Sequence, residues 1–455
     1  MKIQYKSMHS IVLATLLSSL ITGCGGGGGS SPTPANGISS TQKNEVLTTY
    51  ATIAELNYEK ALADAQTLQS AINTFATTPN QINLDATKTA WLKARESYGT
   101  TEALRLSNGP IDAEDSWIAT LYKTPEGQIN AWPLDENMID YTTAADGSTT
   151  SGNIIDNTTS FTPNGGSEVN VTTITKEVLS QLNENGGDAN VATGYHAIEF
   201  LLWGQDQDYA SFVADTITNG ATTAGQRPLT DFTSGANAQR RMTYLQASAD
   251  LLVENLTTIS NAWQSESTNC TTGIGCYRSA FLGTLTNNDA SKNIATDTAL
   301  KNIFIGLGVF IKSEVANERI AVAVLTPSEE DEHSCFSDNT HRDITTNYQG
   351  FKNLLKGEYL GASKGKSFYS LLSTAKKSEI DTLISSIDTK ITTLNTAITT
   401  EHFDYQIKEG SSYRQNIVNA KNSMRDLGDK MVSVATEFGI SLTTDDVTDP
   451  DETQL

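Results

Sequence analysis

His196 and Glu199 stand three residues apart in the segment ATGYHAIEFLLWGQD, residues 192–206. On a helix that spacing projects both side chains from one face. An imidazole and a carboxylate so placed can ligate one first-row transition-metal ion, or the carboxylate can simply satisfy the imidazole. Gly194 precedes the pair, and Phe200, Leu201, Leu202 and Trp203 follow it. The polar pair is therefore pinned to a helix that must otherwise be buried.

Two further segments concentrate polar chemistry. In AWLKARESYGTTEALRLSNGPID, residues 90–112, Trp91, Arg95, Tyr98, Glu102 and Arg105 recur at helical spacing, and Asn108, Gly109 and Pro110 stop the helix before Asp112. Such a strip reads either as a site wall or as a solvated face of ion pairs. From Glu314 to Asp343, Glu314 and Glu318 fall one turn apart beside Arg319. The stretch EEDEHSCFSDNTHRD then gathers His333, Ser337, Asp338 and His341. It reads as a ligand-rich loop or as a connection whose Ser, Asp and Asn side chains cap the next helix. His402 has no partner pattern and reads as structural.

The elements that must position these residues are helices. Met242, Leu245, Ala249, Leu252, Leu256, Ile259 and Trp263 step by three and four, as do Ile380, Leu383, Ile387, Ile391, Leu394 and Ile398, and more loosely the segment from Val46 to Phe75. The fold expected is all-α, with two antiparallel helical-bundle halves and a site between them. The halves are expected at 39–225 and 226–445. Gly-, Thr- and Asn-rich stretches near 143–170 and 217–237 read as loops, and 446–455 as a frayed acidic tail.

The chain start reads as an export signal over 1–23. Lys2 and Lys6 precede an apolar run from Ile11 to Leu20 that is too short to anchor in a bilayer, and Ile-Thr-Gly-Cys closes it at Cys24. Cys24 is the expected site of lipidation. Residues 24–38 form a Gly/Ser/Pro-rich tether. Gly25 after the cysteine resembles the outer-membrane sorting pattern of enterobacterial lipoproteins. The protein is thus expected in the cell envelope, held to the lipid bilayer. In that oxidising compartment Cys270 and Cys276 are expected to form a disulfide, with Cys335 left as a free thiol. With 31 basic and 53 acidic residues, the net charge of −22 excludes nucleic acid as a partner and suits attraction of cations.

Three motifs in order resemble the imelysin-like proteins, a family that includes an insulin-cleaving membrane protease and iron-regulated protein A. They are the Trp-x-x-x-Arg helix ending in Gly-Pro-Ile-Asp, the Gly-x-His-x-x-Glu of Gly194, His196 and Glu199, and Glu-His-Ser-Cys-Phe-Ser-Asp-Asn-Thr-His. The similarity spans about residues 40–440. It implies a two-bundle helical fold and an iron-linked, exported role alongside iron-uptake components. By analogy with related iron-uptake proteins, Glu102 and Asp112 join His196 and Glu199 as metal ligands, for iron or alternatively zinc. Arg95, Tyr98, Arg105, Glu318, Arg319, His333, Ser337, Asp338 and His341 line the site. The family also implies a second possibility, a metallopeptidase of the envelope. The chain lacks the His-Glu-x-x-His helix of zincins, so capture of iron is the expected function.

Overall fold

Ser39 opens the first helix through a capping box: its side chain accepts from the Gln42 N–H, and the Gln42 side chain accepts from the Ser39 N–H. In this computed structural model the described residues are 37–114, 116–143, 148–206, 224–265, 267–325 and 332–450. The signal, Cys24 and nearly all of the tether lie outside them, as do part of the 217–237 loop and the last five residues.

Among the described residues eight helices carry the fold: α1 (Ser40–Thr77), α2 (Gln81–Gly99), α3 (Gly194–Trp203), α4 (Ala238–Trp263), α5 (Thr296–Val309), α6 (Thr340–Lys356), α7 (Thr374–Ala397) and α8 (Arg414–Glu437). The α4 stripe from Met242 to Trp263 is buried throughout. Burying each large apolar side chain contributes roughly 1.5–3 kcal/mol relative to exposure. On α7 the stripe is buried at Ile380, Ile387, Ile391 and Leu394. Ile384, rather than Leu383, fills the intervening turn. Among the described residues strand is confined to two short antiparallel ribbons, Ser160–Phe161 with Val169–Asn170 and Glu358–Tyr359 with Ala362–Ser363. No helix among the described residues is long and apolar enough to cross a membrane.

α1 packs along α2 and α4, and α3 lies against α2 and α4. α4 follows the 225/226 position in sequence, yet its partners are these first helices. α5, α7 and α8 pack together, and α5 runs on as a π-helix over Phe310–Ala321. α6 lies between the two groups, touching α2 on one side and the π-helical segment on the other. Its approach to α2 is very close: a Cβ on Gly99 would sit 2.0 Å from Thr346 Oγ1, and one on Gly350 would sit 2.5 Å from the Thr100 carbonyl oxygen. Two glycines thus let the backbones meet and bring the start of α6 up to Arg95.

The acidic end is docked rather than frayed as far as residue 450. Val447 is buried against the surface that Gly308 leaves open, and Asp449 N–H donates to Ser313 Oγ at 3.0 Å. Apolar packing of one valine and a bond from a buried backbone donor outweigh the solvation of the neighbouring aspartates.

Cys270 and Cys276 are joined by a disulfide with Cα atoms 4.9 Å apart, and Cys335 is a buried thiol outside that disulfide. Closing so short a loop restricts the unfolded chain modestly. Replacing both cysteines by serine is expected to lower the unfolding free energy by about 2 kcal/mol. An unchanged urea midpoint for the double variant would refute that assignment of its role.

Candidate functional site

α3 is buried at all ten positions. Gly194 begins it with φ of 84°, and a Cβ there would lie 2.5 Å from the Ile129 carbonyl oxygen. Glycine is the residue that both the left-handed backbone and the contact require. Trp91 Nε1 donates to the Tyr195 carbonyl at 2.9 Å, and the Tyr244 hydroxyl donates to the Ala192 carbonyl at 2.8 Å. α2 and α4 therefore hold the start of this helix from two sides.

The helical pair closes as its spacing predicts. His196 Nδ1 lies 3.1 Å from Glu199 Oε2, while Glu199 Oε1 accepts from the Ser337 N–H at 3.0 Å and the Ser337 hydroxyl at 2.7 Å. Burial pushes the Glu199 carboxyl up to about 8 despite those bonds. Burial, with His333 and Arg95 nearby, holds the His196 imidazole well below its ordinary range. His196 is therefore neutral at physiological pH. Its Nε2 is buried and has no hydrogen-bond partner among the described residues. The His333 ring stands edge-on to it, with centroids 4.7 Å apart.

Behind the pair lies an ionic network. Arg95 Nε donates to Asp343 Oδ1 at 2.9 Å, and Arg95 also donates to Asn130. His333 Nδ1 is 2.8 Å from Asp343 Oδ2, which also accepts from the Ser334 hydroxyl at 2.6 Å. Burial and Arg319 lower His333 to about 4, and so does burial with Arg342 for His341. Glu102 is fully buried. It accepts from Arg319, from Asn347 at 3.1 Å and from Asn130 at 3.3 Å, with Arg95 3.5 Å away. Burial alone would raise the Glu102 carboxyl, but Arg319 and Arg95 overcome it and hold it below its usual value.

Helix geometry explains how Arg319 arrives there. Glu314 and Glu318 would share a face of an α-helix, but the segment is π-helical, and its wider turn aligns residues five apart. Arg319 Nη1 accordingly donates to Glu314 Oε2 at 3.1 Å, and Glu318 accepts instead from Asn317 at 3.0 Å. α2 likewise ends at Gly99, and a 3-10 turn over Glu102–Leu104 carries the strip onward. Arg105 and Asp112 fall into an adjoining cluster, with Arg105 Nε 3.9 Å from Asp112.

The structure thus brings together His196, Glu199, Arg95, Tyr98, Glu102, Arg319, His333 and Ser337. Asp338 and His341 lie to one side. Asp338 accepts from the Ala224 N–H at 2.7 Å and stands 3.1 Å from His402, while His341 Nδ1 contacts the Asp338 carbonyl at 3.1 Å. Asp343, Asn130 and Asn347 are central but had no sequence pattern to mark them. The four ligands expected from resemblance do not assemble. Among the described residues no group of three or more His, Cys, Asp or Glu side chains is arranged to hold an ion. Glu199 is spent on His196 and Ser337, Glu102 on two arginines and two asparagines, and Asp112 on the Leu106 N–H at 3.0 Å beside Arg105. Of these four side chains, His196 Nε2 and Asp112 Oδ1 have no hydrogen-bond partner among the described residues, and the nitrogen, unlike the carboxyl oxygen beside Arg105, fits attachment of an ion that brings ligands of its own.

Comparison with known proteins gives the lineage. The chain resembles the crystal structure of a protein described as an iron-regulated protein A precursor from Parabacteroides distasonis. The TM-score is 0.59 at 15% identity, covering 90% of this chain and 97% of that one. It also aligns with an imelysin-like protein from Psychrobacter arcticum at 12% identity and a TM-score of 0.48, over 89% of this chain and 98% of the other. No curated protein matches. The Imelysin profile, Peptidase_M75, matches residues 54–431, and by that match the chain belongs to the imelysin family.

Proposed function

We propose that the protein captures iron at the cell envelope, as an ion carrying other ligands or within an iron-containing compound, and that His196 Nε2 is the point of attachment. The observation behind this reading is the buried, unpartnered Nε2 of a neutral imidazole whose other nitrogen faces a carboxylate. Metal-ligating histidines are oriented in this way. Burial keeps the Glu199 carboxyl protonated near neutrality in the unloaded protein, so capture of a cation would release that proton. The carboxylate then formed would fix the tautomer and raise ligand basicity. Glu199 is then a positioning residue, and Ser337 positions Glu199 in turn. Lipid attachment at Cys24 and an outer-membrane location belong to the same proposal, as do iron-uptake components as partners. The bilayer tether would hold the site where iron arrives.

A peptidase would need a carboxylate free to take a proton from water. Glu102, the carboxylate nearest in role, is engaged on both oxygens and held ionised by arginines. That favours capture over hydrolysis. Zinc could occupy the same nitrogen, so the test must separate the metals. Elemental analysis and iron and zinc titrations on purified protein are expected to show one iron-dependent site. His196→Ala should abolish it, and Glu199→Gln should weaken it by about 10–100-fold. Equal iron binding by His196→Ala, or chelator-sensitive peptide cleavage that vanishes in that variant, would overturn the reading.

A further inference from the structure

His196 Nε2 is enclosed, so whatever reaches it must first move part of its cover. Most of that cover is firmly tied. α3 is buried at all ten positions. In the stretch from Ser334 to Asn339, Ser334 N–H donates to Thr340 Oγ1 at 3.0 Å and the Ser334 hydroxyl to Asp343 at 2.6 Å. The Phe336 carbonyl accepts from the Gly225 N–H at 2.8 Å, Ser337 holds Glu199 through two bonds, and Asn339 N–H returns to the Ser334 carbonyl at 3.0 Å. Lifting this stretch would break all of these bonds together.

One side is held differently. The Ile129 carbonyl lies against Gly194 at the start of α3. Asn130 is anchored, with its N–H on the Glu126 carbonyl at 2.9 Å and its side chain on Arg95 and Glu102. Asp135 is anchored too, with its N–H on the Ala189 carbonyl at 3.0 Å. Between these two posts, Ala131, Trp132, Pro133 and Leu134 neither donate nor accept a backbone–backbone hydrogen bond among the described residues. The Trp132 ring stands edge-on to His333 with centroids 5.7 Å apart, and His333 stands edge-on to His196 at 4.7 Å. Exposure falls along the series, from the partly exposed indole to His333 at 3% and His196 at 1%. Segments with few backbone bonds and exposed side chains open at the least cost.

We propose that residues 131–134 form a lid over the two histidines, and that Trp132 swings off His333 to admit the ligand of His196. The admission of a ligand rests on His196 being the point of attachment, whereas the opening of the lid does not. Because the indole rests on His333, its loss changes how often the lid opens for entry and exit more than how well an ion is held.

Diethyl pyrocarbonate acylates neutral imidazole and tests the lid without a metal, with each histidine of the full chain read by peptide mass mapping. Trp132→Ala should speed acylation of His196 and His333 about three- to tenfold, the worth of one edge-on ring contact, while His341 keeps its rate. Trp132→Phe keeps a ring on His333 and should stay close to the unaltered chain. In the unaltered chain, urea below the unfolding transition should barely change the His196 rate, since opening so short a segment exposes little surface. That measurement decides the matter even if Trp132→Ala fails to fold. A His196 rate that Trp132→Ala leaves unchanged, that rises equally at His341, or that climbs with urea as steeply as global unfolding does would overturn the lid. Stopped-flow titration with ferric citrate separates admission from attachment. Trp132→Ala should raise the association and dissociation rates together and leave Kd as it was; binding with unchanged rates would overturn admission through the lid. Failure of ferric citrate to bind the unaltered chain would refute attachment at His196, with acylation still deciding whether the lid exists.

Discussion

Glu102→Ala is expected to lower the unfolding free energy by about 3 kcal/mol, the low end for breaking a buried ion pair, because Arg95 keeps Asp343 and Arg319 keeps Glu314. Arg95 is 0% exposed and Arg319 3%, so neither guanidinium can turn to water when the carboxylate is gone. Asn130 and Asn347 lose an acceptor at the same time. Glu102→Gln keeps the volume and one acceptor but not the charge, so its loss should be smaller. Denaturant titration of the two variants beside the unaltered chain would read both values. A loss for Glu102→Ala under about 1 kcal/mol, typical of exposed pairs, would mean that water reaches the arginines and that the hub is not closed.

Asp140→Ala should produce a loss of similar size for a different reason. Asp140 is 1% exposed and receives Arg227 Nη1 at 2.7 Å and Arg241 at 2.6 and 2.9 Å. Arg227 in turn closes the end of α3, with its N–H on the Trp203 carbonyl at 2.7 Å and its guanidinium over the Phe200 ring. The adjacent Gly225 N–H holds the Phe336 carbonyl at 2.8 Å, one residue before the serine that grips Glu199. The loss of Asp140 would therefore loosen both walls around the helical pair, with about 3–5 kcal/mol of destabilisation, chiefly because Arg241 is left with backbone carbonyls alone while Arg227 keeps Asp231 at 3.0 Å. Burial works to raise the Asp140 carboxyl, but Arg241 and Arg227 pull it below its ordinary value. Its contribution is thus complete above the unfolded aspartate pKa of about 3.9 and fades as pH falls below that toward the folded value. The stability gap between Asp140→Ala and the unaltered chain should be constant near neutrality and close below about pH 4. A gap that persists unchanged in acid would show that lost packing, not charge, is responsible.

What the sequence could convey was local. The stripe on α4 and the three-residue spacing of His196 and Glu199 are periodic features, and both appear as read. The failures occurred where helix geometry changes. An α-helical reading aligned Glu314 with Glu318, whereas the π-helical turn pairs Glu314 with Arg319. Likewise, the strip from Trp91 to Arg105 looked continuous, but the helix ends at Gly99. Asp343 and Asn130 escaped notice because their roles depend on tertiary contacts, which leave no periodic trace along the chain. The four expected metal ligands are not grouped among the described residues, and the reason is electrostatic. Glu102 looked available as a ligand, but the arginines read as lining residues are its partners.

The crossing of α2 and α6 also dictates an order of assembly. Arg95 and Asp343 are 248 residues apart in sequence, and α1 reaches across a comparable interval to α4, where Gln69 meets Asp250. Loop-closure entropy must be overcome before either contact contributes, so native pairing of this kind is slow to nucleate. A nascent chain that has emerged only through α3 holds Glu199 without Ser337 and Arg95 without Asp343. The polar centre is thus among the last parts to mature. A chain released before residue 343 would expose an arginine-rich, apolar-flanked surface of the kind that chaperones retain.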